Sequence, residues 1–470
     1  MAVLAATGPL GAPHLEVGSS GRVVTLAPRS SFSVPGSHPS SGRPTFQQQT
    51  HYKVLFPDKK TSYRIPSLVY IESKKIFLAF AEKRKTCNDT DADDLVMRKW
   101  KVDISEEWED MKVLSEAKMS DHRCMNPCAV YVEKGKENYK GTQEQKKGII
   151  YLFFNCIPYG VSEEQQIREG KNQAKLCYIS SADYGKTWKK QKDITNIVAG
   201  FDLEKIATFS VSPGHGIQLN DGTVVLPAYA YMKKNSGSSE NTTQNSGPYS
   251  FFFYSCGYKE NSCSYLSCFS SCFSSEDPEL TWRASKFSEK SAGECQVAEV
   301  TIENEERIIY CNARTLKKES YRAEFKIKIK NIKEDFCYVN EKCLPESENT
   351  NGCQGSVVSF PALSRKEINP QDGSQWLLYS HPTTSEREKL GVYLNKNPSD
   401  PKSWSNPWVI SNIKNGYSDL VYFKGKTNEE TSFACLFEKG ENDYWDEIGF
   451  CHFNINQVLD GIKQEKSANE

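Results

Sequence analysis

Arg64 and Arg84 flank a short turn-like segment, and Asp89 follows the second arginine closely. The run from Ile65 to Ile71 is mostly apolar and predicts an extended strand. Glu72-Ser73-Lys74-Lys75 predicts a turn, and Ile76 to Ala81 predicts the returning strand. In such a hairpin the arginines lie almost equally far from the turn and become near neighbours across the ladder, with a carboxylate beside them. Two guanidiniums gathered at a strand end suit a carboxylate ligand. Taken alone, the pair is better explained as solvated surface arginines, so the choice rests on the remainder of the chain.

The elements that must hold these residues are predicted to be strands almost throughout. Short apolar segments with polar turns recur at Gly148 to Asn155, from Gly216 through Asn220-Asp221-Gly222 to Tyr231, and at Arg307 to Asn312, Trp376 to Ser380 and Thr431 to Phe437. Long amphipathic helical windows are scarce, so an all-β architecture of many short strands is expected. A chain of 470 residues can bury a large core. Its 59 Lys and Arg against 60 Asp and Glu argue against general nucleic-acid binding. No stretch reaches the 18 or so consecutive apolar residues of a membrane-spanning helix. The 16 cysteines contain no C-x-x-C pair, which argues against a zinc ribbon, and they are read as reduced thiols of an intracellular protein. Residues 1–50, rich in Ser, Gly and Pro, are expected to be a disordered extension, with a transit peptide as the alternative. Residues 51–457 are expected to form one catalytic domain and 458–470 a polar tail.

Internal similarity narrows the architecture. Ser181, Asp183, Gly185, Thr187 and Trp188 spell S-x-D-x-G-x-T-W, and Ser275 to Trp282 repeats the pattern with Glu279 in place of the glycine. Such a turn needs an Asp side chain to accept backbone N–H groups, a Gly at positive φ, and a Trp packed beneath. The copies are separated by about two units of the 40–50-residue period of a propeller blade. Their expected role is structural.

The Tyr63-Arg64-Ile65-Pro66 segment, the paired Asp boxes, His122 to Cys128, Pro227 to Tyr231, Glu294 to Val300, Asn312 to Arg314, Gly352 to Ser356, Tyr379 to Thr383 and Tyr417 to Leu420 together resemble the animal sialidases. The resemblance runs from about Tyr63 to Phe453. It implies a six-bladed β-propeller that removes terminal sialic acid without metal or cofactor. Ala81 to Arg84, Gly214 to Leu219 and Leu377 to Thr383 are most similar to the membrane-associated, ganglioside-cleaving type, with the shorter cytosolic type second.

The substrate explains the residues that the resemblance implies. Sialic acid carries a carboxylate on its anomeric carbon, so Arg64, Arg314 and Arg387 would form a clamp, each charge-assisted bond contributing roughly 1.5–3 kcal/mol. A carboxylate nucleophile would meet that negative charge, whereas a neutral tyrosine avoids it. The resemblance therefore implies Tyr417 as nucleophile, Glu294 as its base and Asp89 as the acid/base. By themselves, Tyr417 reads as a packed strand tyrosine and Arg387 as a solvated residue of a charged loop. Arg84, Glu163, Tyr229, Tyr231, Met125 and Asn126 are implied to border the substrate, and Glu438 to orient Arg64. The Phe-, Tyr- and Cys-rich segment 249–273 is read as an inserted surface loop. The alternative is a peripheral membrane contact, with Cys256, Cys263, Cys268 or Cys272 acylated. A non-cutting sialoside-binding propeller is the rival reading, opposed by the intact Asp89, Glu294 and Tyr417.

Overall fold

A computed structural model describes residues 53–56, 61–133, 148–234, 247–255, 281–302, 306–316, 319–332, 336–339, 342–363, 374–425 and 430–469. The described chain is mostly antiparallel strand. Four sheets of four or five strands are joined by a seven-stranded one. The seven-stranded sheet contains the long strand Trp408–Lys424, whose first part pairs with Glu388–Asn395 and whose second part pairs with Thr431–Gly440. The pairing changes partner at Lys414 and Asn415, so this strand is the outer member of one unit and the inner member of the next. The sheets thus amount to successive four-stranded units, the pattern of a β-propeller. Lys53–Val54 pairs with the last strand, Glu447–Asn454, closing the final unit with the start of the described chain.

Apart from Gly214–His215, which pairs in parallel with His122–Val132, the inner-strand edges are completed largely by side chains. Asp419, fully buried, accepts from the Leu68 N–H at 2.7 Å and bonds Ser356 Oγ at 2.9 Å and His215 Nδ1 at 2.6 Å. Gln296 and Gln354 both donate to the Pro213 carbonyl, at 3.0 and 3.2 Å, and Ser212 Oγ accepts from the Cys295 N–H at 2.9 Å. Between units, apolar faces pack into continuous clusters such as Leu78, Phe80, Leu152, Phe154 and Trp188. Arg64, Met125, Glu294 and Tyr417 all lie at or just before the same ends of inner strands, so they meet at one mouth of the channel. A cavity of about 340 Å³ lies toward the other ends, beside Tyr70, Glu299, Ser359 and Tyr422. It holds none of the candidate catalytic groups.

The first hairpin forms where expected, Ser62–Ile71 against Ile76–Arg84 around Glu72–Lys74. Arg64 faces Glu82 and Arg84 faces Ser62, so the two arginines are diagonal neighbours across the ladder, as expected, and both approach Asp89 Oδ1. A bulge between Arg64 and Ser67, with Ile65 at φ 61°, turns the strand end before Pro66 and shifts the register there by one residue. The Asp box folds as its residues require. The Thr187 N–H and hydroxyl donate to Asp183 at 2.9 and 2.6 Å, the Gly185 N–H donates to Ser181 Oγ at 2.9 Å, and Trp188 packs edge-on against Phe80. Gly185 stands at φ 79°. A shortened version, unrecognised in the sequence, occurs at Asp400: its carboxylate accepts from the Lys402 N–H and the Ser403 hydroxyl, and Trp404 packs against Tyr379. Pro401 and one fewer residue between the Asp and the Trp hid it.

Two expectations change. Residues 458–470 are not a plain tail: Ile455–Asn469 is helical, burying Ile455 and Val458 against the last units. The segment 249–273 is not wholly a loop, since Tyr249–Ser255 is a core strand with Phe251, Phe252 and Phe253 fully buried. Alternation fails there because both faces of the strand are covered. Cys256, Cys263, Cys268 and Cys272 lie outside the described residues, as do residues 1–50.

Candidate active site

Glu438 ties the mouth of the channel together. Its carboxylate, fully buried, accepts from Arg64 Nε at 3.0 Å and Nη2 at 3.2 Å, from the Ile65 N–H at 2.9 Å and from the Tyr417 N–H at 3.0 Å. One side chain therefore sets a guanidinium and two backbone segments 373 and 21 residues away. Gly416 allows this approach, because a Cβ there would overlap Glu438 Oε2. Arg64 and Arg387 stand over the Tyr417 ring at 5.7 and 5.8 Å, and both also face Tyr444, at 5.7 and 4.8 Å. Tyr444 was not singled out in the sequence, where a lone aromatic in a polar loop gives no signal.

Tyr417 donates its hydroxyl proton to Glu294 Oε1 at 2.6 Å. Arg314 Nη1 donates to Glu294 Oε2 at 2.7 Å and to the Tyr417 oxygen at 2.9 Å, closing a three-residue ring of charge and hydrogen bonds. Burial, and then the neighbouring Glu294 charge, hold the phenol well above its ordinary pKa, against the opposing pull of Arg314 and Arg387. The resting tyrosine is protonated, with an acceptor already in place for that proton. The far edges of the two arginines are held by consecutive carbonyls. Asn351 O accepts from Arg314 Nε and Nη2, and Gly352 O accepts from Arg387 Nε. Arg387 itself stands at φ 56° and Asn126 at φ 55°, left-handed like Ile65 and Asn351.

Across the cleft, Asp89 opens a short 3-10 turn and its side chain is 70% exposed. Arg84 Nη1 donates to Asp89 Oδ1 at 2.6 Å, and Arg64 Nη1 lies 3.7 Å from the same oxygen. Burial of the site pushes Asp89 upward, but Arg84 and then Arg64 outweigh it, leaving the carboxyl below its ordinary pKa. Arg84 is almost wholly enclosed, and its Nε donates to Glu82 at 2.7 Å, so it holds Asp89 from behind. Glu82, also missed in the sequence, accepts from the Asn126 N–H at 2.6 Å. Asn126 Nδ2 donates to Ser210 Oγ at 2.6 Å, and Met125 is buried with its sulfur 3.1 Å from Arg123 Nε.

Glu163 begins the helix Glu163–Glu169, capped by Ser162, whose Oγ accepts from the Gln165 N–H, and ended by Gly170 at φ 62°. Its carboxylate accepts from the Tyr229 hydroxyl at 3.0 Å, and the Tyr229 and Tyr231 rings stand 6.3 Å apart, edge to face. Glu163 is open to water on one side but walled by protein. That enclosure, eased by the Tyr229 bond and reinforced by Glu294 and Asp89, lifts its pKa to about 7. Among the described residues no group of three or more His, Cys, Asp and Glu is placed to hold a metal ion.

Antiparallel sheets around a channel, with arginines gathered over a tyrosine–glutamate pair at one mouth, define a β-propeller with a cleft for an anionic ligand. The chain belongs to the sialidase family. A model of the BNR repeat-like domain matches residues 75–432. Sialidase-3 of Mus musculus is 36% identical over 439 residues, covering 86% of this chain and 94% of that protein. Sialidase-3 of Homo sapiens is 34% identical, covering 90% and 95%, and Sialidase-2 of Cricetulus griseus is 34% identical, covering 89% and 98%. Among solved structures, the Hadza microbial sialidase Hz136 shares the fold at a TM-score of 0.60 and 18% identity, over 84% of this chain and 66% of that one. A Trypanosoma rangeli sialidase complex with 2,3-difluorosialic acid does so at 0.55 and 16%, over 89% and 60%.

Proposed function

We propose that this protein is a retaining exo-α-sialidase that removes terminal sialic acid from gangliosides and other sialylated glycoconjugates. The observation that carries the reading is the 2.6 Å bond from Tyr417 to Glu294, with Arg314 on both partners. Arg64, Arg314 and Arg387 receive the substrate carboxylate. Tyr417 oxygen attacks the anomeric carbon while its proton passes to Glu294. Asp89, protonated, gives its proton to the departing glycosidic oxygen, and the aglycone leaves. In the second half, Asp89 takes a proton from water, the resulting hydroxide attacks the anomeric carbon, and the Tyr417 oxygen regains the proton from Glu294. Substrate carboxylate reaching Arg64 draws that cation away from Asp89, which favours the protonated acid the first step needs.

A binding propeller would need the clamp but not this proton path. Hydrolysis of a fluorogenic sialoside by the wild type, with Tyr417→Phe and Asp89→Ala inert, is the expected result. A wild type that binds the sialoside yet is as inert as both variants would refute the enzyme reading. The ganglioside preference rests on the resemblance of Ala81 to Arg84, Gly214 to Leu219 and Leu377 to Thr383 to the membrane-associated type, and a panel of gangliosides against sialoglycoproteins tests it. No helix among the described residues is long and apolar enough to cross a membrane, so contact with glycolipids is proposed to be peripheral. Replacing Cys256, Cys263, Cys268 and Cys272 together and measuring membrane partition tests that contact; unchanged partition removes acylation as its basis.

A further inference from the structure

The arginine clamp raises a question of aim. Arg314 and Arg387 sit on different units, and neither has a carboxylate gripping its far edge as Glu438 grips Arg64. Their far edges instead rest on one loop, through the carbonyls of Asn351 and Gly352 and through Thr350 Oγ1, which accepts from Arg387 Nε at 3.1 Å. Asn351 and Gly352 stand at φ 60° and 77°, a left-handed pair that turns both carbonyls toward the guanidiniums. Among the described residues, the loop's member of an apolar cluster is Cys353, which packs with Ile65 and Tyr417. The loop's anchor is Glu346, whose side chain is wholly buried.

That carboxylate accepts five hydrogen bonds. Oε1 takes the Ser347 N–H at 3.0 Å, the Cys353 N–H at 2.9 Å and His381 Nε2 at 3.0 Å; Oε2 takes the Thr315 N–H at 3.0 Å and Arg322 Nη1 at 2.8 Å. Ser347 and Cys353 are the two ends of the loop, and Thr315 is the backbone neighbour of Arg314. Arg322 also donates to the Cys353 carbonyl and, through Nε, to Asn312 at 2.8 Å. His381 is fixed from its other side by the Pro382 carbonyl at 2.6 Å and stacks against Tyr379. Glu346 thus pins both ends of the loop and the chain beside one arginine, while making no contact with the cleft.

We propose that Glu346, held by Arg322 and His381, is a positioning residue that aims Arg314 and Arg387 at the substrate carboxylate through the 347–353 loop. The proposal rests on the sialidase reading, because it needs the clamp to receive a carboxylate. A glutamine at 346 keeps the shape but sets an amide N–H₂ against donors, so the loop must shift. Gly352→Ala disturbs the same loop from the other end, since its Cβ would overlap the Thr315 carbonyl oxygen and lie 2.9 Å from Arg314 Cγ, at a backbone conformation unfavourable to alanine.

The test is a double-variant cycle on the full chain, with hydrolysis of a fluorogenic sialoside as the readout and thermal unfolding as the check on folding. Each single variant is expected to lose roughly 10- to 150-fold in kcat/KM, the worth of one charge-assisted hydrogen bond. The double variant is expected to lose little more than the worse single one, because both act through one loop. Losses that multiply, or a folded Glu346→Gln enzyme with wild-type kcat/KM, overturn the proposal. If Glu346→Gln does not fold, Thr350→Val decides the matter: a KM raised several-fold with kcat nearly kept supports positioning, and an unchanged KM overturns it. An inert wild type would instead refute the sialidase reading, leaving the two failures distinct.

Discussion

Replacing Glu438 by glutamine tests how the mouth of the channel is held together. The carboxylate serves four donors, two on each oxygen, and none of it reaches solvent. Glutamine retains one acceptor oxygen. Its amide nitrogen must then face either Arg64 Nε with the Ile65 N–H, or Arg64 Nη2 with the Tyr417 N–H. Either choice breaks two bonds and leaves the Arg64 cation without its buried counter-charge. Breaking a buried pair from one side costs about 3–5 kcal/mol, against a total stability of about 5–15 kcal/mol. The folded fraction then carries an Arg64 no longer fixed from behind. The loss of one oriented charge-assisted contact to the substrate carboxylate, about 1.5–3 kcal/mol, corresponds to roughly 10- to 150-fold in kcat/KM. Denaturant unfolding followed by fluorescence should show a lower midpoint, and sialoside hydrolysis below that midpoint should show the kinetic loss. A Glu438→Gln protein with wild-type stability and wild-type kcat/KM would refute the reasoning, because neither the buried pair nor the aim of Arg64 would then matter.

Three further outcomes are expected. Asp89 is held below its ordinary pKa by Arg84, and a general acid works only when protonated, so kcat/KM falls as pH rises through the free-enzyme pKa. Replacing Arg84 by Met together with Glu82 by Gln, which removes a buried cation along with the carboxylate bonded to it, should move that falling limb to higher pH; an unmoved limb would assign the acid elsewhere. Glu163 ionises near 7, so the wild-type KM for an anionic substrate should rise as pH passes that value, and Glu163→Gln should lack the step. Asp183→Ala should lose about 1–3 kcal/mol of stability without changing the KM of the folded enzyme. Asp183 lies below its ordinary pKa, so its share of stability is present at neutral pH and fades as pH falls below the usual carboxylate range. Denaturant midpoints across acid pH should accordingly be flatter in the variant.

Much of the scaffold was legible in the sequence because it depends on neighbours. Strand runs bounded by polar turns, the hairpin before Arg84 and the Asp box at Ser181 to Trp188 are set by residues within a few positions of one another. The tail helix and the buried Tyr249–Ser255 strand were misread because their burial comes from distant units, which local polarity and composition do not report. The bulge at Ile65 likewise needs the distant Glu438 to accept its N–H, and so the register of Arg64 could not be counted from the turn.

For the site, the sequence by itself determined which chemical groups were available: arginines for an anion, a tyrosine, and carboxylates in motifs shared with a family. The family resemblance implied which of them meet, but nothing in their local patterns did, and it is the tertiary structure that brings them together. Tyr417 and Glu294 are 123 residues apart, and Arg387 reads as a surface charge until Gly352 and Tyr444 enclose it. Glu346 carries no motif at all, and its place follows from five donors converging on one buried carboxylate. The physical reason is the propeller itself. It brings the starts of successive inner strands to one mouth, so residues remote in sequence share a desolvated space where charge and hydrogen bonding act strongly.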